Sequence, residues 1–62
     1  MSEANEKIYR VVGYEEHKNA RYVTNNLTLK ETHEYVSLYR AKYGNAWIEV
    51  LKNGCWREYR GF

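Results

Sequence analysis

The dipeptide Asn53-Gly54 constrains this chain more than any other feature. It interrupts an alternating run, Trp47-Ile-Glu-Val-Leu-Lys-Asn-Gly-Cys-Trp-Arg-Glu-Tyr-Arg-Gly-Phe62. A two-residue Asn-Gly loop between such runs predicts a β-hairpin closed by a type I′ turn, which needs positive φ at both loop positions. The turn fixes the pairing. Lys52 falls opposite Cys55, Leu51 opposite Trp56, Glu49 opposite Glu58 and Trp47 opposite Arg60. Side chains alternate across a strand. One face therefore carries Trp47, Glu49, Leu51, Trp56, Glu58 and Arg60, with Phe62 continuing it. The other carries Ala46, Ile48, Val50, Cys55, Arg57 and Tyr59.

The aliphatic set suits packing under a helix, and the tryptophan set suits an open surface. Like charges directly opposite one another are unfavourable, and burying both would be worse. The alternative is the inverted arrangement with the tryptophans as the core, and the Glu49–Glu58 pair argues against it, favouring solvent or a partner for the tryptophan face. Solvation or a cationic partner would satisfy these carboxylates, and Arg60 is placed to lie over Trp47.

Upstream, Lys7–Glu16 reads as a strand, His17–Ala20 as a polar turn and Arg21–Leu27 as a second strand weakened at its end by Asn25-Asn26. Thr28-Leu-Lys-Glu31 is a capping box. It opens a helix expected to run to about Tyr43, with Gly44 as a left-handed C-cap. Leu29, Thr32, Val36, Tyr39 and Tyr43 form its inward stripe, with Leu38 on the opposite side near Tyr35, Ala41 and Lys42. Ala46–Leu51 and Cys55–Arg60 complete the chain. The expected fold is α+β, ββαββ, with a single helix on a four-stranded antiparallel sheet of order 2-1-3-4. Residues 1–6 read as a disordered polar lead and residues 7–62 as one domain.

A chain of 62 residues buries a modest share of its surface. Cys55 is its single cysteine, so no intrachain disulfide can staple it. Association with a partner or a second copy is the remaining route to added stability. The lone thiol agrees with a reducing compartment. No apolar run is long enough to span a bilayer, and the polar start lacks the apolar core of a signal peptide. The expected location is the cytoplasm.

Ten basic residues stand against eight acidic ones, so there is neither the basic stripe of a dedicated nucleic-acid binder nor the acidity of a DNA mimic. Seven tyrosines and two tryptophans are the compositional outlier, and such rings are favoured at interfaces. His17 and His33 lack further ligands at metal spacing, so no metal is expected. Cys55 reads as a small buried residue beside a turn. No glycine-rich loop opens a helix, so no phosphate cradle and no cofactor are expected. Nothing here reads as an enzyme.

Tyr9-Arg-Val-Val12, the second strand, Thr28-Leu-Lys-Glu31 before a Tyr-rich helix, and Ile48–Trp56 together give a layout that resembles small phage-encoded proteins. Anti-CRISPR proteins and phage antitoxins that block host RNases are similar compact α/β chains. The resemblance implies a single-domain inhibitor acting in the host cytoplasm on a defence or regulatory protein.

The expected function is a non-enzymatic protein-binding module, an inhibitor or adaptor. Trp47, Leu51 and Trp56 are its anchors, Glu49, Glu58 and Arg60 their polar surround, and Phe62 an extension. Tyr35 and Leu38 form a secondary partner or dimer contact. A homodimer would cover the same open face. The alternative is a nucleic-acid-binding regulator that stacks bases on these rings, with Arg10, Arg21, Arg40, Lys42, Arg57 and Arg60 tracking phosphates.

Overall fold

Local sequence signals define each element of the computed structural model, which describes residues 6–60. The lead expected over residues 1–6 lies, apart from Glu6, outside the described residues, as does Phe62. The elements are β1 (Tyr9–Glu15), β2 (Ala20–Leu27), α1 (Leu29–Tyr43), β3 (Asn45–Lys52) and β4 (Cys55–Glu58). The sheet is antiparallel with order β2-β1-β3-β4, and α1 packs on β1 and β3. This is the ββαββ arrangement expected from the sequence.

A 3₁₀ turn, Glu16–Lys18, joins β1 to β2, and Asn19 closes it in the left-handed region at φ 49°. The Thr28 N–H donates to Glu31 Oε1 at 2.9 Å, and the Glu31 N–H donates to Thr28 Oγ1 at 3.2 Å, completing the capping box. At the other end the Gly44 N–H donates to Arg40 O at 2.9 Å. Gly44 takes φ 100° and ψ −38°, so φ is positive but the expected left-handed helical cap is not formed. The chain passes from this residue straight into β3, which requires a different exit direction.

One face of the sheet and the inward stripe of α1 enclose the core. Tyr9, Val11, Leu27, Val36, Ala46, Ile48 and Val50 are buried together. Thr32 is buried among them and satisfies its hydroxyl by donating to Leu29 O at 2.5 Å. Gly13 lies beneath the helix tyrosines. A Cβ there would stand 2.8 Å from Tyr43 Cδ2 and 3.0 Å from Tyr39 Cδ2. The missing side chain is what lets these rings lie against the sheet. Tyr43 stacks on Tyr22 with centroids 4.1 Å apart, and Tyr39 meets Tyr43 edge-on at 5.3 Å. Burial, and after it the Glu15 carboxylate, pushes the Tyr22 phenol up, so it stays neutral and donates to Glu15 Oε1 at 3.3 Å.

Asn25-Asn26 does more than weaken β2. Val11 pairs with Thr24, but Tyr9 pairs with Leu27 rather than with the residue before it. One extra residue enters β2, with Asn26 at φ 59°. In a period-two strand this shift exchanges faces. It turns Leu27 from the open face into the core, directly before the helix cap.

Two stability predictions follow from these local devices. Asn26→Val should destabilise the fold by about 1–2 kcal/mol, because a β-branched side chain resists the left-handed region. Asn26→Gly should not, and chemical denaturation of both variants checks this. The Glu31 carboxylate is held below its ordinary value, first by the hydrogen bond from the Thr28 N–H. Its contribution is therefore complete above the usual carboxylate range and lost as pH falls through the lowered value. Glu31→Gln should remove that part of the acid dependence, read from stability measured across an acidic pH series.

Candidate functional site: the open sheet face

The helix covers one side of the sheet, and the described residues place no element on the other. The Asn53-Gly54 turn, φ 52° and 77°, fixes which side chains of the hairpin share a face, and the packing of Ala46, Ile48 and Val50 into the core leaves the Trp47 set on the open side. Ladder pairs run from Lys52–Cys55 through Leu51–Trp56 and Val50–Arg57 to Glu49–Glu58, as the hairpin signal predicts. Ala46, Ile48 and Val50 are buried under α1, and Trp47 and Trp56 lie half-buried on the opposite face. The two tryptophans are thus outside the helix-side core.

Adjacent strands extend this surface. Arg10 neighbours Glu49, Val12 neighbours Trp47 and Val23, and Tyr14 neighbours Arg21 and Asn45. A chain of polar and aromatic contacts crosses the face. Arg21 lies 6.0 Å from the Trp47 ring centroid. The Trp47 indole N–H donates to Glu49 Oε2 at 3.0 Å. Glu49 Oε1 accepts from Arg10 Nε at 2.6 Å and Nη2 at 2.5 Å. The Arg10 guanidinium lies 4.2 Å from the Trp56 ring centroid. Each interaction fixes the next side chain along.

Glu49 and Glu58 do stand opposite one another, and each has its own cation within the chain. Glu49 is held by Arg10, and Glu58 Oε2 accepts from Arg60 Nε at 3.2 Å. The expectation of solvent or a partner cation is corrected for Glu49, which Arg10 neutralises within the chain, whereas Glu58 remains solvated beside Arg60. Arg60 likewise does not cover Trp47. β4 ends at Glu58, the Tyr59 N–H makes a last bond to Ile48 O at 2.8 Å, and Arg60 folds onto Glu58.

Apolar surface lies between the charges. Leu51 is 37% exposed and Val23 42%. Val12 sits on this same face yet is 0% exposed, covered by its neighbours rather than by the helix. Val12, Val23 and the bridging roles of Arg10 and Arg21 are what the sequence reading missed. Val11-Val12 is apolar on both faces, so its alternation carries no sign of which side is open.

Three further expectations change. Tyr35 was expected on the outer side of the helix beside Leu38. Instead it packs against the core and meets Tyr39 edge-on at 6.2 Å, leaving Leu38, 63% exposed, on that side. Cys55, expected to be buried, is exposed, and so is Arg57. Both belong to the edge strand, beyond the strands that α1 covers. Among the described residues, no three His, Cys, Asp or Glu side chains gather as metal ligands, and no pocket opens. No helix among them is long and apolar enough to cross a membrane.

Fold and face together define a small α+β domain with an ordered aromatic surface. Compared with protein-family models, curated proteins and solved structures, the chain matches none.

The pairing hierarchy predicts unequal costs for two carboxylates on opposite strands. Glu49→Ala leaves the Arg10 guanidinium and the Trp47 N–H without their partner, and should cost about 1–3 kcal/mol. Glu58→Ala breaks only an exposed pair and should cost under about 1 kcal/mol. Thermal unfolding of the two variants distinguishes them.

Proposed function

We propose that this chain is a non-enzymatic protein-binding module whose open sheet face occludes a partner protein. The observation that carries this reading is the ordered stripe Arg21–Trp47–Glu49–Arg10–Trp56, flanked by exposed Val23 and Leu51. Tryptophan and arginine are the residues that most often dominate interface energetics. Here Arg10 and Glu49 already neutralise one another inside the chain, so docking would not strand either as an unpaired buried group. Their conformations are also fixed beforehand, which lowers the ordering cost of association.

Trp47, Leu51 and Trp56 are the proposed anchors, with Glu49, Glu58 and Arg60 at their side, and Val23 joins them. The resemblance to phage-encoded inhibitors supports a host defence or regulatory protein as the target. Base stacking is a poorer fit, because a guanidinium group lies over each indole. An inserted base would have to displace Arg10 from both Trp56 and Glu49.

Capture from a bacterial lysate on the immobilised chain, with and without nuclease, tests the proposal. A protein retained in stoichiometric amount after nuclease is expected. Trp56→Ala should weaken that capture by about 2 kcal/mol or more, roughly 30-fold, while circular dichroism shows the fold retained. Capture that disappears with nuclease, or falls steeply with salt as phosphate contacts require, would replace this reading with nucleic-acid binding.

A further inference from the structure

The two edges of the sheet are built differently. β4 is four residues long, and two of them, Arg57 and Glu58, are charged. Short, charged strands are a standard protection against edge-to-edge pairing. β2 is eight residues long, Ala-Arg-Tyr-Val-Thr-Asn-Asn-Leu, with Arg21 its single charge and no proline. Besides that one charge, its protective device is the bulge at Asn25-Asn26, which leaves Ala20–Thr24 regular.

Main-chain bonds show what this stretch offers. Tyr59 N donates to Ile48 O and Leu51 N donates to Ile8 O, both at 2.8 Å. In an antiparallel ladder, bonded and non-bonded pairs alternate. Ile48 and Val50 therefore direct their main-chain groups toward β4, and Trp47 and Glu49 toward β1. The alternation carried across β1 points Val11 and Gly13 toward β2, where they meet Thr24 and Tyr22. Arg21 and Val23 then direct their N–H and C=O groups away from the sheet, along an edge that no described strand occupies.

We propose that this edge is a self-association site at which β2 of one copy pairs antiparallel with β2 of a second copy, about a two-fold axis at Tyr22. The sequence fits its own image there. Arg21 falls opposite Val23 of the second copy, and both are residues with outward main-chain groups, so each such pair exchanges two hydrogen bonds. The single charge on the edge never meets itself. The Tyr22 residues face one another at the axis on the helix side, each ring already stacked on its own Tyr43. Aromatic cross-strand pairs are favourable. The two-fold axis stands perpendicular to the sheet, so both open faces lie on the same side and form one continuous surface. The self-pairing is independent of the function proposed above and leaves the tryptophan face uncovered.

Sedimentation equilibrium across a concentration series, with amide hydrogen exchange read by NMR, tests it. A monomer–dimer equilibrium is expected, with the Arg21 and Val23 amides fast-exchanging when dilute and protected in the dimer. Val23→Pro removes the outward N–H, and Val23→Lys adds a charge to the edge while keeping every main-chain group. Each should raise the dimer dissociation constant by about tenfold or more. Val23→Lys keeps the test decisive if the proline variant does not fold. A chain that remains monomeric at the highest concentration would overturn the proposal. So would a dimer that both variants leave intact, or one whose protection appears on amides other than those of the β2 edge.

Discussion

The positive φ angles of Asn53 and Gly54 are the constraint on which the surface depends. They close β3 and β4 with a loop of two residues and so fix the parity of both strands. Turning the hairpin over as a unit, with this pairing kept, would bring Trp47, Glu49 and Leu51 under the helix and turn Ile48 and Val50 outward. Glu49 and Glu58 would then be buried opposite one another. The turn works together with apolar patterning, since only one parity leaves these carboxylates where cations can reach them.

Strand β1 carries the consequence across the sheet. It lies between β2 and β3, and its consecutive residues Val11 and Val12 are both fully buried, one on each face. Val11 is covered by the helix side of the molecule. Val12 is covered on the opposite side, where the contacts from Arg21 to Trp56 order the side chains without help from another element. The open face is therefore a second, thin layer of packing, and the charges within it are satisfied by near neighbours. A surface of this kind is ordered by contacts within the single chain.

Much of this was legible in the sequence. The hairpin register, the helix bounds and the Thr28–Glu31 cap follow from short-range chemistry, in which Asn-Gly and a capping box each have a single good geometry, and the sheet order follows from the helix crossing over between β2 and β3. Residue-level detail was less legible where it depends on neighbours distant in sequence. Arg10 and Glu49 are 39 positions apart, and nothing local marks them as partners. Tyr35 lies near the boundary of the helix stripe, so its inward packing depends on where the sheet sits. Cys55 alternates correctly with its neighbours but belongs to a strand beyond the helix. The bulge at Asn25-Asn26 was visible as a weakness, whereas its effect, turning Leu27 inward, needs the pairing with Tyr9 to be known.

The most direct test of the account is the set of proton–proton contacts made by the two indole rings in a solution NMR spectrum of the intact chain. Nuclear Overhauser effects are expected from Trp47 to the Val12 methyl groups and from Trp56 to the Arg10 side chain, with the Arg10 methylene protons shifted upfield by the ring. Contacts from either indole to the methyl groups of Val36 or Ile48 would place the tryptophans in the helix-side core and contradict it.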